Sequence, residues 1–300
     1  MDLLKISDFS AAEIDELITS GIRTKDRLKR GIPHTPLEGK VLGLIFEKPS
    51  TRTRVSFESA MYQLGGHTIF LSSTSTQIGR GEPIKDTARV MSGYVDGVMI
   101  RTFGHEIIEE FAEYSSVPVI NGLTDMHHPC QVLADVMTIT ERKGGLKGIK
   151  VAWIGDGNNM ANSWIEASAI LGFELRIACP EGYCPDEDVL AWAKEKGARI
   201  ETCVTVKDAA QGVDVLNTDV WASMGQEEER VERLKVFEGY QINADILKLA
   251  KKDAMILHCL PAHRGEEITE EAIEGPNSAV WQQAENRLHV QKAVLERLLK

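Results

Sequence analysis

The chain of 300 residues is too long for one ordinary domain and suits two domains of about 150 residues each. Hydrophobic residues make up 43% of it and charged residues 26%, a composition that is typical of globular proteins and excludes a disordered one. The formal net charge of −11 argues against nucleic acid or an anionic membrane as the main partner, because both require a basic face.

The cysteines and the amino terminus both indicate a cytoplasmic protein. The five cysteines are an odd number without a regular framework, so we expect reduced thiols. The first residues, MDLLKISDFSAAEIDEL, lack the basic and apolar segments of a signal or transit peptide. No apolar run approaches the roughly 18 residues of a membrane span. We therefore expect neither export nor a membrane partner.

The predicted elements begin with a helix and continue as strands that alternate with helices. Ser10 and Glu13 form a capping-box pair, which predicts a helix that begins just after Ser10. Nine short apolar runs are predicted as buried strands, at residues 41–46, 67–71, 97–101, 117–122, 150–155, 174–179, 198–203, 213–220 and 255–259. Helical patterns between these runs indicate parallel sheets with helices on both faces.

The polar, glycine-rich stretch 141–150 divides the strands into two groups. We therefore predict an α/β fold of two doubly wound parallel-sheet domains, 1–140 and 141–275, with the active site in the cleft between them. The amphipathic pattern near the carboxyl terminus predicts a long helix, which by its pattern alone could pack on either domain. We assign the segment 276–300 to a helix that packs back on the amino-terminal domain.

A candidate anion site follows the first strand. Ser50, Thr51, Arg52 and Thr53 stand where a helix should begin, so hydroxyls, backbone N–H groups and a guanidinium come together. Such a helix amino terminus is suited to a phosphate group. The alternative is an ordinary Ser/Thr cap followed by solvated arginines.

Further polar candidates follow the next strands of the first half. Arg101 ends one predicted strand, and His128 and Gln131, three residues apart, share one face of a predicted helix. A zinc site formed by His128 with His127 and Cys130 lacks tetrahedral spacing and a second ligand cluster. We therefore predict no metal.

In the second half, a glycine-rich turn resembles a dinucleotide-binding fingerprint. Gly155 and Gly157 have the G-x-G spacing, but Met160 stands where a small residue belongs. Asn158 and Asn159 would crowd a pyrophosphate at the helix cap. These two side chains suit a zwitterion better.

Two more junctions of the second half carry reactive groups. Asp219 follows a buried apolar run and could face an ammonium group, or it could cap a helix over 221–225. Cys259 lies beside His258 and near His263, which would suit a thiol nucleophile. Because Cys259 ends an apolar strand, a buried and inert cysteine is the default interpretation.

Five motifs together resemble those of the carbamoyltransferases, in the order and at the spacing of that family. They are STRTR (50–54), HPCQ (128–131), DGNN (156–159), SMG (223–225) and HCLPAHRG (258–265). The SMG and HCLP motifs resemble the ornithine branch. The resemblance implies transfer of a carbamoyl group from carbamoyl phosphate to the δ-amine of L-ornithine, giving L-citrulline and phosphate. It also implies arginine biosynthesis or a urea-cycle type of step, no cofactor, and a homotrimer that could assemble further.

The resemblance assigns roles residue by residue. Those assigned to catalysis are Arg101, His128, Gln131 and Cys259. Those assigned to carbamoyl phosphate are Ser50, Thr51, Arg52, Thr53, Gln77, Arg101, His128, Pro129, Cys130, Gln131, Cys259, Leu260 and Arg287. Those assigned to ornithine are Asn159, Asp219, Ser223 and Met224. Gln77 matches a position that reaches the neighbouring subunit's site, whereas His127 stands where an aromatic residue is usual.

Three other functions stay open at this point. Carbamoylation of a related amine such as putrescine is the nearest, although putrescine has no carboxylate for Asn159 and the SMG motif. A nicotinamide dinucleotide-dependent dehydrogenase would use the G-x-G turn. A catalytically inactive amino-acid-binding protein would not need Arg52, Arg101 and His128 together.

Overall fold

The computed structural model describes residues 1–72, 81–222 and 229–300. The chain divides into two compact units, and the first combines Met1–Met137 with Glu285–Lys300 while the second is the continuous segment Thr138–Ala284. Within the described ranges, no helix is both long and apolar enough to cross a membrane. The predicted domain bounds of 1–140, 141–275 and 276–300 stay a prediction.

The strands of the first unit are β1 (Val41–Phe46), β2 (His67–Ser72), β3 (Gly97–Arg101) and β4 (Val119–Leu123). Its helices are a short 3-10 helix (Ile6–Asp8), α1 (Ala11–Lys29), α2 (Thr51–Gln63), α3 (Ile84–Ser92) and α4 (His105–Tyr114), together with parts of α5 (Pro129–Lys143) and α12 (Val280–Leu299). The predicted capping box starts α1, since the Ser10 hydroxyl accepts from the Glu13 N–H at 3.3 Å and the Glu13 carboxylate accepts from the Ser10 N–H at 2.9 Å.

The four strands of the first unit form one parallel sheet in the order β2-β1-β3-β4. Ile45 and Val98 pack in one core cluster with side chains of α3 and α4. Leu42 and Leu44, which point to the opposite face by strand alternation, have no exposed surface. The strand order reverses between β1 and β3, and ligands of open α/β sheets gather at such a switch point.

The second unit contains β5 (Lys150–Ile154), β6 (Glu174–Ala178), β7 (Arg199–Thr202), β8 (Val215–Thr218) and β9 (Met255–His258). Its remaining helices are α6 (Asn159–Leu171), α7 (Glu187–Glu195), α8 (Val206–Ala210), α9 (Arg230–Val236), α10 (Ala244–Leu249) and α11 (Glu270–Ile273). The strands are all parallel, in the order β7-β6-β5-β8-β9, so the switch point lies between β5 and β8.

All nine predicted strands are present, and the predicted fold class of two parallel-sheet α/β domains is confirmed. Most bounds agree with the expected ones to within one residue, but two strands differ by two residues. The run 117–122 pairs only from Val119, because Pro118 has no N–H to donate and the Val117 N–H turns to the Ser115 hydroxyl at 3.2 Å. The run 213–220 pairs from Val215 to Thr218.

Candidate functional site

The amino terminus of α2 lies at the carboxyl end of β1, as the sequence predicted. Ser50 is the N-cap, and its hydroxyl accepts from the Thr53 N–H at 3.2 Å. Thr51 and Arg52 are exposed in the first turn, whereas Thr53 is fully buried. The exposed turn therefore presents a guanidinium and the positive end of a helix dipole on the same side of the sheet.

A buried polar cluster, which we call the Thr53 cluster, lies behind that turn and consists of Thr53, Arg101, His128, Gln131 and Arg287. The Thr53 hydroxyl oxygen accepts from Arg287 Nη2 at 2.9 Å and from Arg101 Nη1 at 3.4 Å. Arg287 Nη1 donates to Gln131 Oε1 at 2.7 Å and lies 3.3 Å from His128 Nε2. Every member is at most 5% exposed. Two buried guanidiniums and three further polar side chains make this a strong candidate for binding an anion.

The orientation of Gln131 is fixed by a residue that the sequence did not single out. Asp135 is fully buried one turn further along α5, and its Oδ1 accepts from Gln131 Nε2 at 2.9 Å. This bond directs the Gln131 amide oxygen to Arg287. The signal was present in the sequence, since positions i and i+4 share a helix face.

The electrostatics of the cluster keep its histidine neutral. Burial, and then the positive charges of Arg287, Arg101 and Arg52, hold the pKa of His128 well below its usual range. A guanidinium can only donate hydrogen bonds, so a neutral His128 accepts at Nε2 and carries its proton on Nδ1.

The three side chains considered for zinc turn to different partners. His127 packs edge to face against His105, with ring centroids 4.8 Å apart, and burial lowers the pKa of His127 to about 3. The Cys130 thiol donates to the Asn121 carbonyl at 3.4 Å, and burial raises its pKa to about 12. Pro129, between them, is the first residue of α5.

In the second unit, a smaller polar group surrounds Asp219, at the carboxyl end of β8. Asp219 Oδ1 accepts from the Cys259 thiol at 2.9 Å and from the Val220 N–H at 2.8 Å, and Oδ2 accepts from Asn158 Nδ2 at 3.0 Å. Asp219 is 7% exposed. Cys259 follows the end of β9 and is only partly buried, which differs from the default of an inert core cysteine.

The predicted asparagine and its neighbour have different positions at the start of α6. Asn158 is the N-cap, and its side chain accepts from the N–H groups of Met160 and Ala161. Asn159 is the first helical residue and is half-buried. Asn158 thus links the helix cap to the Asp219 carboxylate, a role that the sequence did not reveal.

Close packing explains why Gly157, the second glycine of the G-x-G turn, has no side chain. A Cβ atom on Gly157 would lie 2.2 Å from the backbone of Cys184 and Pro185, so the turn admits no side chain. The neighbouring Asp156 accepts from Arg233 at 3.1 Å, and burial raises its pKa to about 6, with Arg233 opposing that shift. Arg233 also donates to the Trp221 carbonyl at 2.9 Å.

The structure brings some predicted residues together and leaves others undetermined. It gathers Thr53, Arg101, His128, Gln131 and Arg287 in the first unit. In the second unit it brings Cys259 into hydrogen-bond contact with Asp219, and Leu260 directly follows Cys259 in the chain. Gln77, Ser223 and Met224 lie outside the described residues.

Comparison with known families agrees with this arrangement. Residues 1–141 match the model described as "Aspartate/ornithine carbamoyltransferase, carbamoyl-P binding domain". Residues 147–298 match "Aspartate/ornithine carbamoyltransferase, Asp/Orn binding domain". The two models together account for nearly the whole chain.

Individual proteins are similar over the same length. An ornithine carbamoyltransferase of Geobacter sulfurreducens is 60% identical over 298 residues, which cover 99% of this chain and 98% of that protein. The solved ornithine carbamoyltransferase of Pyrococcus furiosus is 53% identical with a TM-score of 0.95, covering 99% of this chain and 96% of that one. That of Burkholderia thailandensis is 44% identical with a TM-score of 0.92, covering 99% and 98%. The resemblance inferred from the five motifs is confirmed, and the chain belongs to the aspartate/ornithine carbamoyltransferase family.

Proposed function

We propose that this protein transfers the carbamoyl group of carbamoyl phosphate to the δ-amine of L-ornithine and releases L-citrulline and phosphate. The Thr53 cluster is the observation that carries the proposal. It places two buried guanidiniums behind a helix amino terminus, at the switch point of the first sheet. The ornithine carbamoyltransferases to which the chain is 44–60% identical support ornithine as the acceptor.

In the proposed reaction, the amine nitrogen attacks the carbonyl carbon, the bond from that carbon to the phosphate oxygen breaks, and the nitrogen loses one proton. Attack places negative charge on the carbonyl oxygen. Fixed donors such as Arg101 and Arg287 stabilise that charge without reorganising in the transition state. Ser50, Thr51, Arg52 and the start of α2 are proposed to hold the phosphate, which leaves as an anion and needs no strong acid.

The difficult step concerns the nucleophile. An amine with a lysine-like pKa near 10.4 is neutral in only about 0.04% of molecules at pH 7. The site must therefore select the neutral amine or accept its proton. Alignment of two bound reactants can supply roughly 7–11 kcal/mol of the barrier, which suits a catalyst that works by orientation and charge.

We propose that the Asp219 group binds the amino-acid end of ornithine. The Asp219 carboxylate is held by Asn158 and Cys259, so it presents a fixed negative charge to an ammonium group. Asn159, Ser223 and Met224 are proposed to complete this subsite. Putrescine lacks the carboxylate that such a subsite would recognise.

A comparison of acceptors tests the function. Citrulline formation from carbamoyl phosphate is measured with ornithine, and carbamoylation is measured with putrescine, lysine and aspartate at equal concentration. We expect the highest kcat/KM with ornithine. A higher value with another amine would overturn the assignment, and a thermal shift with NAD would favour the dehydrogenase instead.

Substitution of two arginines in the same helix turn tests the phosphate site. Arg52→Ala should raise the KM for carbamoyl phosphate at least about tenfold, since a hydrogen bond to a charged group contributes about 1.5–3 kcal/mol. Arg54→Ala is the matched control, because Arg54 pairs with Glu58 at 2.9 Å and stacks on Phe70. Equal KM values for the two variants would refute the proposed role of Arg52.

We also propose a homotrimer in the cytoplasm that serves arginine biosynthesis. The family resemblance supports the trimer, and the cysteine usage supports the cytoplasm. Mass photometry of the purified protein should give three times the mass of one chain. A monomer at assay concentration would contradict the proposed assembly.

A further inference from the structure

His258 is buried at the end of β9 with both ring nitrogens in hydrogen bonds. Its Nδ1 lies 2.9 Å from the backbone nitrogen of Leu260, and its Nε2 lies 2.9 Å from Glu267 Oε1. A backbone N–H can only donate and an ionised carboxylate can only accept. The two partners therefore assign the neutral ring with its proton on Nε2 and its lone pair on Nδ1 directed at Leu260.

Glu267 closes the loop that His258 begins. The same Oε1 atom accepts from the His263 backbone N–H at 2.7 Å, so one carboxylate oxygen binds both ends of the segment 258–263. Glu267 has no exposed surface and His258 is 1% exposed. A fully buried carboxylate is retained where its hydrogen bonds fix a geometry, since its burial is unfavourable by itself.

The backbone held by this pair is strained. In the described part of the chain, Leu260 is the one non-glycine residue with a positive φ, at 62°. Left-handed backbone at a branched residue persists only where the surroundings enforce it, and such residues cluster at functional sites. The hydrogen bond from the Leu260 N–H to His258 Nδ1 holds the backbone in this conformation.

We propose that His258 and Glu267 are positioning residues that hold the Cys259–Leu260 backbone for carbamoyl phosphate. The proposal rests on the proposed function, because Cys259 and Leu260 are expected to contact that substrate. Glu267 fixes the tautomer of His258, and His258 in turn fixes the left-handed Leu260. Neither side chain has to touch a substrate for this role.

Two amide variants of His258 distinguish its hydrogen bond to the Leu260 N–H from its hydrogen bond to Glu267. His258→Asn places an amide oxygen near the position of Nδ1, where it can accept from the Leu260 N–H in an Asx-type turn. His258→Gln reaches Glu267 but leaves no acceptor beside Leu260. We expect kcat/KM for carbamoyl phosphate in the Gln variant to be at least about tenfold below that of the Asn variant, mainly through KM.

A second pair of variants tests Glu267. Glu267→Gln keeps an oxygen that can accept from both His258 and His263, and its amide nitrogen takes the place of Oε2, which has no hydrogen-bond partner among the described residues. Glu267→Leu removes both bonds. We expect the KM for carbamoyl phosphate to rise more in the Leu variant than in the Gln variant.

His34 offers a matched control for the loss of a histidine–glutamate pair. Its Nε2 lies 2.8 Å from Glu296 Oε2 and its Nδ1 lies 2.8 Å from Arg27 Nη1, and neither partner is proposed to bind a substrate. His34→Asn and His34→Gln should lower the thermal midpoint without separating in kcat/KM. If kcat/KM differed between the Asn and Gln variants of His34 as much as between those of His258, the difference would reflect general stability. That result would overturn the proposal.

A spectroscopic measurement on the wild-type protein keeps the test independent of folding in the variants. Selective ¹⁵N labelling of histidine distinguishes the tautomers, and the signal missing in His258→Asn assigns the residue. We expect the proton on Nε2 at pH 7.5. A proton on Nδ1, in the neutral or the cationic ring, would overturn the proposal, as would equal kinetics of the Asn and Gln variants. If the wild-type protein instead forms no citrulline from ornithine, the proposed function fails while the tautomer can still be measured.

Discussion

Substitution of Arg287 should raise the KM for carbamoyl phosphate strongly and lower the stability of the protein only moderately. Its guanidinium is 4% exposed and shares the Thr53 hydroxyl with Arg101. The two nitrogens that share this oxygen cannot be more than 6.3 Å apart, the sum of 2.9 and 3.4 Å. The protein therefore holds two like charges close together in its interior. An anion bound there would relieve that repulsion.

The effect of Arg287→Met follows from these distances. At an effective dielectric constant of about 20, two unit charges at 6.3 Å repel by about 2.6 kcal/mol, which the substitution removes. The variant also loses the three bonds to Thr53, Gln131 and His128, which contribute about 1.5 kcal/mol each at the low end for a charged donor. The loss therefore exceeds the gain by about 2 kcal/mol. We expect the thermal midpoint to fall by about 4–8 °C, at about 2–4 °C per kcal/mol.

Binding should behave differently from stability. Loss of one charge-assisted bond to the anion, about 1.5–3 kcal/mol, raises the KM for carbamoyl phosphate about 10-fold to 150-fold. Initial rates at saturating ornithine and scanning calorimetry without substrate measure the two effects. Arg287→Lys keeps the charge but cannot bridge Thr53 and Gln131 together, so it should fall between wild type and Met. A large loss of thermal midpoint with an unchanged KM would show that Arg287 is structural and refute the reasoning.

Three further predictions concern other residues. Asp219→Asn should raise the KM for ornithine at least about tenfold and leave that for carbamoyl phosphate unchanged, and a parallel rise in both would mean that Asp219 is structural. The thermal midpoint should fall as the pH drops from 7 to 5, because the unfolded chain protonates His127 and His128 near pH 6.5 while burial holds their folded-state pKa values lower. His127→Phe should make that fall shallower, because about one proton fewer is taken up on unfolding, and an unchanged slope would contradict this. Finally, the activity of trimers reassembled from Arg52→Ala and Gln77→Ala chains should exceed the mean activity of the two parent variants. The test requires that Gln77→Ala alone is impaired. Activity at the parental mean would show that Gln77 serves the active site of its own chain.

The arrangement of strands was predictable because each buried strand is a short apolar run between helical patterns. The ends of strands were less predictable, since they depend on single groups such as the missing N–H of Pro118. The helix start at Ser10 is local chemistry and was read correctly from two residues. The position of the active site between the two domains stays a prediction.

The site was predictable as far as its motifs reach. The motifs name Thr53 and Gln131, but local pattern gives no reason for Arg287 to meet them, because the Arg287–Gln131 contact spans 156 positions of the chain. Gly157 was interpreted through a phosphate-binding pattern, although its small size is required by the backbone at Cys184. The partners of His258 depend on the path of a loop, and loop paths have no periodicity to read.

The discontinuous first unit has a consequence for the order of folding during synthesis. Its last part, Glu285–Lys300, includes fully buried side chains such as Val290 and Leu295, so this unit cannot complete its core until residues 285–300 have been made. The ribosome adds about 5–20 residues per second, so the residues after Met137 take roughly 8–33 s. All residues of the continuous unit Thr138–Ala284 are made before the last part of the first unit. We therefore expect the earlier-made first unit to complete its core last, so that its apolar side chains stay accessible to chaperones throughout synthesis.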